Sequence, residues 1–289
     1  MADAGRSAGR LARFERQRRR RRAVKQIVSP ANATYRELLA LATSARERRR
    51  LGLSVIEGLH LLQAYVARHG APRRLFVPQR SAAAIEGAPD GELAQAVAAA
   101  GVEPIVLADR LFAQASQVQN GPGPIAVVGT PRPPLPETLA GDAVYLDRVQ
   151  DPGNVGSVLR SCAAVGVPRV ITSPATAFCW SPKVLRAAMG AHFHLDIHEG
   201  VPPATLLSRL ACPAVATTAD APRSIYDADL RAPRLWLFGN EGQGLAPELL
   251  AAARLERLAI PQSEAVESLN VGVAAAVCLY EQLRQRRAG

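Results

Sequence analysis

Cysteine is sparse in this chain, long apolar runs are missing, and so are the usual phosphate-loop motifs. The four cysteines, Cys162, Cys179, Cys212 and Cys278, show neither C-x-x-C spacing nor an accompanying histidine cluster. That disfavours a zinc site or a disulfide framework and suits a reducing compartment. No stretch approaches the roughly 18 uninterrupted apolar residues of a membrane-spanning helix. Nor does an apolar run precede a cleavage-like site at the N-terminus, so a cytoplasmic protein with no membrane partner is expected. The chain contains neither G-x-x-x-x-G-K-S/T nor a well-placed G-x-G-x-x-G, which weakens a generic nucleotide-binding enzyme. His192, His194 and His198 alternate as in a strand, on one face and without further ligands, so no metal is expected.

What the chain does have is 289 residues at 48% hydrophobic composition, enough for two medium domains. Its net charge of +10 is concentrated at one end, because residues 1–25 hold ten Lys/Arg and two acids. This arm, with its run Arg18 to Arg22, lacks the apolar residues needed to fold. It reads as a disordered extension that either attracts RNA phosphates non-specifically or is merely solvated.

Hydrophobic periodicity divides the rest. Residues 34–50 read as one helix, LSVIEG as a strand and LHLLQAYVARHG as a helix closed by Gly70. RRLFVP, GELAQAVAAAG, EPIVLA and PIAVVGT continue the α/β alternation to residue 130. Four prolines within Pro131–Pro136 mark a stiff linker over 131–140. From 141 to 289, the strand-like AVYLDRV, RVITS, FHLDI, PAVATT, RLWLFG and ERLAI alternate with helices starting near Asn154, Pro182, Pro203, Ala246 and Leu269. A parallel sheet covered on both faces is expected, with ligands outside the carboxyl ends of its strands.

Three turns carry the chemistry. LDRVQDPGNVGSVLRSCAAVGV (146–167) runs from strand to helix, with Asn154 as a candidate cap, Gly153 and Gly156 allowing close approach, and Arg160 six residues beyond Asn154. LFGNEGQGLAPELL (237–250) places Gly239, Gly242 and Gly244 around Glu241, a density of glycine that implies unusual backbone angles or a ligand against the backbone. AIPQSEAVESLNVGVAAAVCLYEQL (259–283) leads from a strand through a polar loop into a small-residue helix, with Ser268 and Asn270 where caps belong. Of the two tryptophans, Trp236 lies in an apolar strand and reads as core, whereas Trp180 sits beside prolines and is the better candidate for stacking on a base.

In this order the three turns resemble the motifs of the SpoU/TrmH branch of the SPOUT methyltransferases, which methylate the ribose 2′-oxygen of RNA. The resemblance covers residues 141–289 and implies a parallel-sheet domain with a deep trefoil knot, a homodimer through that domain, and S-adenosylmethionine as cofactor. The region 26–130, with its VIEG segment, is similar to the L30e-like substrate-binding domain that precedes this catalytic domain, which tilts the expected substrate toward rRNA over tRNA. Carried over, the family pattern assigns catalysis to Asn154, Arg160, Glu241, Ser268 and Asn270. It assigns cofactor binding to Thr217 or Thr218, Gly239, Asn240, Gly242, Ile260, Pro261, Ser268 and Leu269, largely through backbone groups. The resemblance implies that Arg160 accepts the hydroxyl proton, but a guanidinium resists deprotonation; the other reading is that Arg160 clamps the neighbouring phosphate and stabilises a developing alkoxide while the proton leaves through the phosphate or water. The alternative is a non-catalytic RNA-binding or ribosome-assembly factor on the same fold.

Overall fold

The structure, a computed structural model, describes residues 25–118, 123–218, 220–263, 265 and 268–288. Apart from Lys25, the basic arm lies outside them. Two sheets form. The first joins β1 (Gln26–Ile27), β2 (Leu53–Glu57), β3 (Arg74–Pro78), β4 (Pro104–Leu107) and β5 (Ile125–Gly129) in the order β1-β4-β3-β5-β2, with only β5 antiparallel to its neighbours. The second joins β6 (Ala143–Leu146), β7 (Arg169–Thr172), β8 (Asp196–His198), β9 (Ala214–Thr217), β10 (Leu235–Phe238) and β11 (Leu255–Leu258) in the order β11-β9-β10-β6-β7-β8, all parallel. The chain fills one side of β6 and then the other, so the strand order reverses between β6 and β10. Crevices in open parallel sheets form at such a switch point.

In the first half the helices are α1 (Ala33–Thr43), α2 (Ala45–Leu51), α3 (Leu59–His69), α4 (Gln79–Gly87), α5 (Glu92–Ala99) and α6 (Asp109–Ala115). The single helix expected over 34–50 is two. Ser44 adopts an extended conformation, and its hydroxyl caps the Glu47 amide at 3.3 Å, the S-x-x-E pattern of a helix start. Buried Arg48 closes the kink by donating to the carbonyls of Leu41 and Ala42 at 2.6 and 3.3 Å. Strand β1 and helix α4 were not expected; two paired residues leave no periodic signal.

The second half contributes α7 (Pro152–Val165), α8 (Pro182–Ala188), α9 (Pro203–Ser208), α10 (Pro247–Leu250) and α11 (Val271–Ala288). Gly156 serves packing rather than ligand approach, because a Cβ there would lie 2.4 Å from that of Ala187 on α8. Helix α11 is anchored to the sheet through Gln282, which accepts from the buried Trp236 indole at 2.8 Å and donates to Asp142 at 3.1 Å. Arg286 grips the same Asp142 with two bonds of 2.6 and 2.9 Å. The proline segment is not a free spacer. Leu139 is buried and bridges Leu210, and Arg209 donates to the Leu135 carbonyl at 2.7 Å. One apolar core joins residues of both halves, among them Ile56, Leu62, Val144, Val158 and Leu185, and Tyr65 of α3 meets Phe193 edge-on at 5.4 Å.

Trp180 is 1% exposed and packs on His192 at 5.0 Å, so it stacks on protein and not on a base; the mixture of aromatic and cysteine in AFCW is a core signal. Trp236 is core, as expected. The histidines do not alternate on a strand, since Ala191–His194 is a 3-10 turn and only His198 lies in β8. Among the described residues no helix is long and apolar enough to cross a membrane.

Burial pushes the His192 pKa down from 6.5 to about 4, while its Nε2 donates to the Cys179 carbonyl at 2.7 Å. The unfolded chain therefore takes up this proton at higher pH than the folded one, and stability falls as pH drops from about 6.5 toward 4. The loss approaches roughly 3 kcal/mol. Urea unfolding at pH 7, 5.5 and 4.5 should show His192→Gln, which keeps a donor for Cys179, losing less stability over this range than the parent. Equal slopes would clear His192 of the effect.

Candidate active site

Outside the carboxyl ends of β9 and β10, and against the start of α11, lies a cavity of about 460 Å³ lined by Thr217, Thr218, Gly239, Asn240, Glu241 and Ser268 among others. A smaller pocket of about 130 Å³ adjoins it and adds Ile260 and Gln262. Leu269 lines both. Most of the expected cofactor residues thus share one hollow. Gly242 and Pro261 do not line it.

The sequence of the 239–246 loop explains its shape. A Cβ on Gly239 would stand 2.4 Å from the Gly244 carbonyl carbon, so only glycine lets the loop fold back on itself. Asn240 and Gly244 exchange backbone hydrogen bonds of 3.0 and 2.9 Å. The Asn240 side-chain oxygen accepts from the Gly242 and Gln243 amides, and its amide donates to the Arg148 carbonyl at 2.9 Å.

Two residues overlooked in the sequence hold this loop to the sheet. Buried Asp147 accepts from the Ala246 amide at 2.8 Å, and Arg148 reaches the Gln243 side chain at 3.0 Å and the Gly244 carbonyl at 3.3 Å. Arg148 does so from a left-handed backbone with φ of 56°, a conformation that is uncommon outside glycine. The only signal available was an acid closing the apolar run AVYL.

Three of the five catalytic candidates meet directly. The Asn154 amide donates to Glu241 Oε1 at 2.9 Å, and Asn270 donates to Asn154 Oδ1 at 2.9 Å, so one side chain from each of the three turns joins a single chain of bonds. Asn154 is free to do this because it is not the cap of α7. Asp151 is the cap, its Oδ1 accepting from the Asn154 backbone at 2.8 Å, with Pro152 opening the helix. Asn270 does cap α11, accepting from the amides of Gly272 and Val273 at 2.9 and 3.3 Å. Ser268 is not that cap; it is exposed and lines the cavity.

Arg160 stands apart from the bonded trio. Six residues along α7 from Asn154, it is exposed and its side chain makes no hydrogen bond or ion pair with the described residues. On the protein side its guanidinium is uncommitted. Among the described residues no group of three or more His, Cys, Asp or Glu is placed to hold a metal.

A cofactor with nucleoside character fits this hollow. The glycine loop lines it, Leu269 and Val271 add apolar wall, and Thr218 Oγ1 is buried with no partner among the described residues. A buried hydroxyl left unpaired is costly, so a ligand atom bonded to it contributes to binding.

Residues 142–280 match the SpoU rRNA Methylase family. Over 276 residues the chain is 30% identical to an uncharacterized tRNA/rRNA methyltransferase of Synechocystis, covering 91% of this chain and 95% of that one. It is 27% identical to the Bacillus subtilis 23S rRNA (guanosine(2553)-2′-O)-methyltransferase RlmP, covering 89% and 98%. Among solved structures, the SpoU methyltransferase AviRb of Streptomyces viridochromogenes bound to AdoMet superposes with a TM-score of 0.75 at 25% identity, covering 89% of this chain and all of that one.

Proposed function

Because the chain belongs to the SpoU rRNA methylase family, we propose that it transfers a methyl group from S-adenosylmethionine to a ribose 2′-hydroxyl of ribosomal RNA, the substrate named for its full-length relatives. The observation that carries this reading is the Asn154–Glu241–Asn270 chain of bonds at the cavity formed by three loops. The sulfonium supplies an activated methyl when bound. Thr218, Leu269 and the backbone around Gly239 would hold the cofactor. Asn154, bonded to both partners, fixes the spacing of the turns. Arg160 would clamp a neighbouring phosphate and steady the alkoxide as the hydroxyl gives its proton to that phosphate or to water.

We assign substrate binding to an L30e-like unit over 26–130 and catalysis to 141–289. The half-exposed Val273 and Tyr280 on one face of α11 support a homodimer through that helix. The parallel bridge between Ser224 and Ala259, which joins the β9–β10 connection to the segment after β11, supports a knotted thread.

The test is to incubate the protein with tritiated S-adenosylmethionine and unmodified 23S rRNA, then digest to nucleosides. Label in a 2′-O-methylnucleoside is expected. Label on a base would remove the 2′-O assignment, and absence of both label and cofactor binding would favour the non-catalytic alternative. In the same assay Asn154→Ala, which cuts two hydrogen bonds worth about 1 kcal/mol each, should lower turnover about tenfold or more. Unchanged turnover would show that the bonded trio is scaffolding only.

A further inference from the structure

A second cavity, of about 780 Å³, plays no part in this chemistry. It lies outside the carboxyl ends of β7 and β8. Its far wall comes from the first half of the chain, through Arg49 of α2 and the segment 131–133. That segment is strapped in place from two sides. Arg132 donates to the Arg49 carbonyl at 2.5 Å, and His198 Nδ1 donates to the Pro133 carbonyl at 3.2 Å. With prolines on either side of Arg132, the wall is stiff.

Inside the cavity, the Arg49 guanidinium lies 4.5 Å from the centroid of the Phe178 ring. Phe178 is buried and Arg49 exposed, so the ring backs a cation that is still open to solvent. Exposed Glu199 also lines the cavity, oriented by the Cys179 amide, which donates to its Oε1 at 2.7 Å. Arg132 adds a second exposed cation. The two cavities are mechanically joined, because the Arg148 amide donates to Ser173 Oγ at 2.8 Å on this side while the Arg148 guanidinium holds Gln243 and Gly244 on the other.

An aromatic-backed guanidinium, a fixed carboxylate and a cation at the rim match the parts of an unpaired nucleotide. Splayed-out bases stack on arginine planes and are read along their pairing edges. Phosphate pairs with the second arginine. A carboxylate accepts only, and guanine alone among the four bases presents an imino and an amino donor side by side. Resting on the RNA-methylating reading above, we propose that this cavity receives an unpaired guanosine next to the methylated nucleotide, its base on Arg49 and its donor edge on Glu199.

The test is fluorescence anisotropy on the full chain with 5′-fluorescein-labelled ribohexamers, (UG)3 against U6. The parent should bind (UG)3 about tenfold tighter. Arg49→Ala should weaken (UG)3 about tenfold, the size of one lost base stack. Glu199→Gln should erase the preference while leaving U6 binding intact. Both variants should bind S-adenosylmethionine like the parent by calorimetry. Equal binding of the two hexamers by the parent, or full (UG)3 affinity in Arg49→Ala, would overturn the guanosine site. If the parent still methylates 23S rRNA in that event, only this inference falls; if it neither binds the hexamers nor labels rRNA, the RNA reading falls with it.

Discussion

Gly239→Ala should eliminate detectable S-adenosylmethionine binding by calorimetry while the chain still folds. The added methyl would stand 2.4 to 2.6 Å from Gly244 and Leu245 backbone atoms, and backbone cannot swing aside as a flexible side chain can. Relief requires opening the loop at the Asn240–Gly244 bridge, and that loop is one wall of the cavity in which the cofactor is proposed to bind. Gly242→Ala is the internal control. Its new methyl meets nothing closer than the Asn240 side-chain oxygen at 3.8 Å, so its affinity should stay near that of the parent. Wild-type affinity in Gly239→Ala would mean that the cofactor binds elsewhere.

Arg160→Ala should cost about a hundredfold to a thousandfold in turnover, the range for removing one charge-stabilising donor, with cofactor affinity unchanged. The exposed, unbonded guanidinium gives the fold little to lose, so melting temperature should barely move. Arg160→Lys discriminates further. A bidentate clamp on phosphate is poorly replaced by a point charge, so lysine should recover only a small part of the rate. Near-full recovery would reduce Arg160 to long-range attraction.

Much of the site was legible because its makers are residues with backbone duties. The glycines around Glu241 announced a folded-back loop, and Gly239 proves irreplaceable there. Asn270 capped its helix as its position suggested. Asn154 was misread as a cap although Asp-Pro just upstream is the stronger helix start, with proline at the first helical position. Arg148 left no trace, because a left-handed φ on a non-glycine residue is imposed by tertiary contacts and not by local preference. Gly156 is the instructive error. Within one turn the sequence cannot tell a glycine that admits a ligand from one that admits another helix, and here the neighbour was α8, some thirty residues on. Trp180 shows the same limit in reverse, since a segment with a loop's composition folded inward on His192.

The last helix carries a consequence for when the protein becomes active. Asp142, just ahead of the first strand of the parallel sheet, finds its partner Arg286 144 residues later, and Asn270 at the head of that helix completes the bonded trio. On a ribosome elongating at about 5–20 residues per second, the cavity's third wall leaves the exit tunnel only after every strand of both sheets. The nascent chain therefore lacks the complete cavity until residue 270 has emerged. A transcript truncated before codon 270 would yield a protein without the bonded trio or the third wall of the cavity, however well its first sheet folds.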